Sequence, residues 1–208
     1  MSVFVKICGL TCAEDVESVA ALRPDAIGFV FWSRSKRFVR PEDVAGWTGG
    51  VPESILKVGV FVDAGPEDIR RVVQTVGLQV VQLHGFGEEG VGGGLELGPD
   101  VKVWQVVHLA RSGRLPGKSG HVDAYLVDSY SEQSPGGTGE TCDWNRARDF
   151  AEQSKKPVVL AGGLKPANVQ QAIKAVRPWG VDVSSGVEIS PGRKDVDLVK
   201  DFIEQCRS

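Results

Sequence analysis

The chain contains no run approaching the roughly 20 apolar residues that span a bilayer as a helix, so no membrane partner is expected. It has no lysine- and arginine-rich block, and with a formal net charge of -3 it is a poor candidate for binding nucleic acid. Its four cysteines, Cys8, Cys12, Cys142 and Cys206, include no C-x-x-C pair, which argues against a disulfide framework and a zinc site alike. Cys12, Cys142 and Cys206 read as small buried hydrophobes. The phosphate-loop pattern that ends in lysine is missing too, so a nucleoside triphosphate is not the expected ligand. The first residues lack the ordered basic, apolar and small-residue regions of a signal peptide, and a cytoplasmic protein is the expectation.

The 208 residues are 41% hydrophobic and 25% charged, an ordinary composition for a globular chain. No linker divides them, and one domain over residues 1–208 is expected. Short, β-branched, mostly apolar runs predict strands at 3–8, 26–31, 57–62, 80–84, 102–107, 124–128, 158–161 and 180–184. Helical patterns fall between them. One covers 13–21, where Thr11 and Glu14 have capping-box spacing. Others begin at Pro66 and Pro166, and a closing helix follows Asp195. Eight strands alternating with helices predict an α/β fold, a (β/α)8 TIM barrel, with an open doubly wound sheet as the structural rival. The weakest unit is 109–122, where glycine and proline favour loop over helix.

In a barrel of this kind, chemistry gathers at the C-terminal ends of the strands. Those ends carry Cys8, Asp63, His84, Asp128, Gly162-Gly163 and Asp182 through Ser184-Ser185-Gly186. Alternation places Lys6 with Cys8, Gln82 with His84, and Asp182 with Ser184 on common faces, without saying which face is inward. The glycines and serines after the last two strands offer backbone donors suited to phosphate, against the simpler reading of tight turns. His108 and His121, beside the weak fifth unit, read as incidental.

Several segments in order resemble the phosphoribosylanthranilate isomerase family: Lys6-Ile7-Cys8-Gly9-Leu10-Thr11, Gly28-Phe29-Val30-Phe31 with Ser35 and Arg37, and Val81-Gln82-Leu83-His84-Gly85. Gly136-Gly137-Thr138-Gly139, Leu160-Ala161-Gly162-Gly163-Leu164 and Val181-Asp182-Val183-Ser184-Ser185-Gly186-Val187-Glu188 continue the likeness. It implies a (β/α)8 barrel and an Amadori rearrangement in tryptophan biosynthesis. The substrate would be N-(5-phospho-β-D-ribosyl)anthranilate and the product 1-(2-carboxyphenylamino)-1-deoxyribulose 5-phosphate. By this resemblance Cys8 matches the general base, Asp128 the general acid and Arg37 the contact to the anthranilate carboxylate. The segments containing Gly162, Gly163, Ser184, Ser185 and Gly186 match the phosphate site. The segments at 87–99 and 109–122 are the least family-like.

Such an aldose–ketose isomerisation needs an acid to open the ribose ring and a base to take the C2 proton. It has no redox step, so no cofactor and no metal are expected. The acid must be protonated, as burial favours, and the base must be a thiolate, as a nearby cation such as Lys6 or a helix N-terminus favours. His84 and Asp182 are candidates for substrate contact. His84 could equally be structural, and Asp182 could instead pair with Lys6. Gly136–Gly139 could cover the substrate or be an ordinary loop. The expected partner is a small phosphorylated molecule, with the chain a monomer or homodimer. Two alternatives remain at this point: another phosphosugar isomerase or metal-dependent epimerase, and a barrel that binds a phosphorylated ligand without turnover.

Overall fold

A computed structural model describes residues 3–85, 95–109, 122–128 and 144–208. Eight parallel strands close into a barrel in chain order. They are β1 (Phe4–Cys8), β2 (Ala26–Val30), β3 (Leu56–Val62), β4 (Val80–His84), β5 (Lys102–His108), β6 (Ala124–Asp128), β7 (Val158–Ala161) and β8 (Gly180–Val183). Closure is made by β1 pairing with β8, with Lys6 opposite Asp182. The open-sheet alternative is thereby removed. A two-stranded antiparallel hairpin, β9 (Glu188–Ser190) with β10 (Arg193–Lys194), follows β8 through a 3-10 turn at Ser185–Val187.

The helices are α1 (Ala13–Ala21), α2 (Pro41–Trp47), α3 (Pro66–Val76), α4 (Trp144–Gln153), α5 (Pro166–Val176) and α6 (Val196–Arg207). Helix α3 shows why these segments coil. Proline starts its first turn, Ile69, Val72, Val73 and Val76 bury one face, and Gly77 ends it in the left-handed region. Asp195 caps α6 by accepting from Asp197 N and Leu198 N. The capping box expected at Thr11 does not form. Cys12 occupies the N-cap without a side-chain cap bond, and Thr11 Oγ1 donates to Gly192 O at 2.6 Å. The hairpin folds back over the start of α1 and offers that carbonyl, a partner invisible in the local sequence.

Alternation sorts the strand side chains into two layers. Outward residues such as Val5, Ile7, Ile27, Phe29, Val81 and Leu83 pack with the helices. Inward residues Ala26, Val58, Val80, Trp104, Val106, Ala124, Leu126, Val159 and Ala161 fill the lumen, with Phe4 and Leu56 against them. Phe4 stacks on Trp179 at 4.4 Å, and Trp104 meets both rings edge-on, closing the N-terminal end of the barrel. Because Phe4 is inward, Lys6 and Cys8 are inward also, and the chemistry-bearing ends of the strands open at the opposite end. Among the described residues no helix is long and apolar enough to cross a membrane.

Trp104 is almost fully buried in this plug. Trp104→Ala is expected to lower stability by about 3–5 kcal/mol in urea unfolding. A loss below about 1 kcal/mol would show that the plug closes over the gap.

Candidate active site

The first strand carries the centre of the site. Lys6 is fully buried, and its Nζ donates to Asp182 Oδ1 at 2.9 Å. Of the two roles open to Asp182, the structure shows this pairing. Burial alone would lower the pKa of the ammonium, but the Asp182 carboxylate and the Cys8 sulfur outweigh it and hold it above its usual value. Cys8 lies one inward position further along β1, 7% exposed.

Gly28, its partner on β2, makes room for both side chains. A Cβ there would stand 2.8 Å from Cys8 Sγ and 3.2 Å from Lys6 Nζ. This close approach, rather than any turn, is what the glycine serves. Burial pushes the Cys8 thiol up, opposed by Lys6 and Lys194 and aided by Asp182. The lowering expected from Lys6 is present but is outweighed by desolvation.

After Cys8 the chain turns through Gly9 at φ 79°, whose N–H donates to Gly28 O at 2.9 Å. The positive φ favours glycine, and so does the space. A Cβ at Gly9 would fall 2.5 Å from Arg37 Cδ and 2.8 Å from Ser184 Oγ. The Arg37 side chain thus crosses directly over the end of β1, held in the loop by its own N–H donating to Ser35 Oγ at 3.0 Å. Its guanidinium forms a two-point pair with Glu188, Nε to Oε1 at 2.7 Å and Nη2 to Oε2 at 2.6 Å. The bond from Glu188 raises the pKa of Arg37 against the opposing effect of burial. Lys194 Nζ donates to the same carboxylate at 2.8 Å and to Ser184 O at 3.1 Å. Glu188 and Lys194 were not singled out by sequence reasoning. Glu188 stands inside a quoted motif, but Lys194 reaches the mouth only because the hairpin folds back.

Around the rim, His84 ends β4, His108 ends β5 and Asp128 ends β6, with His108 and Asp128 in register. The His84 and His108 rings are 5.9 Å apart, so His108 belongs to the mouth rather than being incidental. His84 Nε2 lies 3.3 Å from Gln82 Nε2. Burial, helped by the charges of His108 and Lys6, lowers the His84 pKa to about 4, and the ring is neutral at pH 7. The Asp128 charge acts on Asp182, placing the two carboxylates within electrostatic reach.

Gly162 and Gly163 leave β7 at φ 89° and 65°, and a Cβ at Gly163 would meet nothing within 4 Å. Asn168 braces this turn, accepting from Lys165 N at 2.8 Å and donating to Gly163 O at 3.0 Å. At Gly186 a Cβ would collide with Leu164 O, so the turn after β8 lies directly against the turn after β7. The two segments expected to bind phosphate are therefore neighbours. The residues at 136–139, and with them the covering-loop reading, lie outside the described residues, as do His121 and Cys142.

Ionisable side chains gathered at the C-terminal mouth of a closed (β/α)8 barrel mark an enzyme. The family model described as N-(5'phosphoribosyl)anthranilate (PRA) isomerase matches residues 5–205. An N-(5'-phosphoribosyl)anthranilate isomerase of Geobacter sp. (strain M21) is 43% identical over 203 residues, covering 98% of this chain and 97% of its own. One from Caldanaerobacter subterraneus subsp. tengcongensis is 44% identical over 205 residues, covering 98% and 97%. The crystal structure of phosphoribosyl anthranilate isomerase from Thermotoga maritima has a TM-score of 0.83 at 37% identity, covering 98% of each chain. The chain belongs to the phosphoribosylanthranilate isomerase family, isomerases of tryptophan biosynthesis.

The neutral state of His84 has a measurable consequence. A group whose pKa falls from 6.5 unfolded to about 4 folded contributes stability that is complete above 6.5 and is lost as pH falls toward 4. The loss from this group is expected to reach about 3 kcal/mol. Urea unfolding at pH 7 and near pH 4 should show a smaller drop for His84→Gln than for wild type. An identical drop would show that the ring titrates normally.

Proposed function

We propose that the protein converts N-(5-phospho-β-D-ribosyl)anthranilate to 1-(2-carboxyphenylamino)-1-deoxyribulose 5-phosphate, with Cys8 as general base and Asp128 as general acid. The observation that carries this reading is the placement of the Cys8 sulfur beside Lys6 at the inner end of β1, directly beneath Arg37. Family membership supports the reaction; the roles of Cys8, Asp128 and Arg37 are those the resemblance implies, and their chemistry and position agree with them.

Asp128, at the end of β6, donates its proton to the ribose ring oxygen, and the ring opens to a protonated Schiff base. Cys8 then takes the C2 proton as thiolate. The electron pair of the broken C–H bond flows toward nitrogen and leaves a neutral enolamine, which tautomerises to the aminoketone. Protons only move within the substrate and the two side chains, so no oxidant, reductant or co-substrate is needed. Lys6 and Lys194 stabilise the sulfur anion that burial disfavours.

The Arg37 guanidinium binds the anthranilate carboxylate. Its Nε–Nη2 edge is already used by Glu188, but a guanidinium has five N–H donors, and the Nη1–Nη2 edge suits a second carboxylate. The phosphate rests on the adjoining turns at Gly162-Gly163 and Ser184-Ser185-Gly186, where main-chain N–H groups suit an anion. His84, neutral and next to Gln82, lines the pocket as a hydrogen-bonding wall rather than a cation. Asp182 acts through Lys6.

Anthranilate fluorescence with freshly generated substrate provides the test. Cys8→Ala should lower kcat by about 10²–10⁴-fold with product affinity little changed. Arg37→Met should raise KM by about 10–100-fold, the loss of a charge-assisted pair. Full activity in Cys8→Ala would remove the thiol from the mechanism, and an unchanged KM in Arg37→Met would remove the carboxylate contact. Because the thiol must ionise and burial pushes it up, wild-type kcat/KM should climb with pH and still be rising above about pH 8.5, where a free thiol is half ionised, and a flat profile would contradict a thiolate base.

A further inference from the structure

Arg37 sits on a loop after β2, where its main-chain N–H donates to Ser35 Oγ. Its guanidinium is fixed from the far side of the closure seam by Glu188, 151 positions later. The Glu188 side chain is only 4% exposed, and Lys194, whose side chain is fully covered, holds its Oε1. The same ammonium holds Ser184 O, and the Lys194 N–H donates to the buried Asp15 carboxylate at 2.8 Å. Arg37 is thereby tied through two side chains to the backbone of the Ser184–Gly186 turn and to helix α1. Arg37 alone on its loop would have a long, rotamer-rich side chain to order on binding, at a cost in conformational entropy. The Glu188 pair removes that freedom beforehand while leaving one guanidinium edge open.

We propose that Glu188 and Lys194 are positioning residues that preset the Arg37 guanidinium at a fixed distance from the Ser184–Gly186 turn, so that the carboxylate end and the phosphate end of one substrate are gauged by a single rigid unit. This rests on the reading of Arg37 as the carboxylate contact. Three charges, two positive and one negative, leave the unit with one net positive charge for an incoming carboxylate. Glu188 therefore aims the guanidinium without cancelling it.

The test compares two ligands by calorimetry: reduced 1-(2-carboxyphenylamino)-1-deoxyribulose 5-phosphate and its phenylamino counterpart without the carboxylate. Glu188→Gln should weaken the first about tenfold or more and the second less than about twofold, because only the carboxylate reads Arg37. In the steady state its KM should rise far more than its kcat falls. Glu188→Asp, which keeps the charge but shortens the reach, should lie between Gln and wild type. In an Arg37→Met background the Glu188→Gln change should add less than about twofold, as two parts of one device do. Thermal unfolding checks that each variant is folded. Equal weakening of both ligands, additive losses, or tighter binding of the carboxylate ligand by Glu188→Gln would overturn the proposal, the last by showing Glu188 to be a competitor. If Arg37→Met itself spares the carboxylate ligand, the underlying reading of Arg37 fails. If Arg37→Met weakens it and Glu188→Gln does not, only the positioning role fails.

Discussion

The Lys6–Asp182 ion pair sits at the seam where the first strand meets the last, joining residues 176 positions apart inside the lumen. Every other feature of the mouth is arranged around it. Cys8 follows Lys6 by one inward step, Gly28 leaves space for both, and Ser184 stands two residues after Asp182, just past the end of β8. A buried ion pair is a weak source of stability, since an apolar pair of equal volume would close the seam as well. Its value here is electrical: it places a permanent positive charge beside a sulfur from which water is nearly excluded.

Stability and chemistry are consequently divided along the barrel axis. The lower lumen is apolar and ends in the Phe4, Trp104 and Trp179 plug, where edge-on and stacked rings fill the taper. The same alternation that directs Phe4, Val80, Trp104 and Ala124 inward carries Cys8, His84, His108 and Asp128 to the rim a few residues later. One geometric rule thus supplies both the core and the site. The short β-strands only have to end in titratable residues.

That rule explains what could be read from the sequence. The bounds of β4, β6 and β7 match those expected, because each is a short apolar run with a sharp polar or glycine end. The strand ends named Cys8, His84 and Asp128 as rim residues from local pattern alone, and the resemblance supplied the roles of Cys8 and Asp128. The inward face of β1 was not legible, since Val5 and Ile7 look as buried as their neighbours; only closure against Gly180 and Asp182 decides it. The Thr11 capping box failed because a carbonyl 181 residues away competes for the hydroxyl. The contacts of Glu188 and Lys194 were not legible for a related reason. They are fixed by a hairpin folding back over the seam, a contact that no local periodicity encodes. His108 was misplaced because its loop looked weak, although the strand before it is regular.

The proposed reaction asks for opposite electrostatic surroundings on the two sides of one pocket, a cationic one for the base and a carboxylate-rich one for the acid. The seam pair holds a charge of each sign. Its ammonium faces Cys8, while its carboxylate lies within reach of the Asp128 charge. The orientation of this one buried pair, lysine on β1 and aspartate on β8, puts the ammonium on the strand that carries Cys8, where its charge opposes the effect of burial on the thiol. The charges outside it are arranged to agree. Lys194 adds a second cation on the sulfur side, and the Glu188 that binds Lys194 and Arg37 keeps the excess positive charge to one unit.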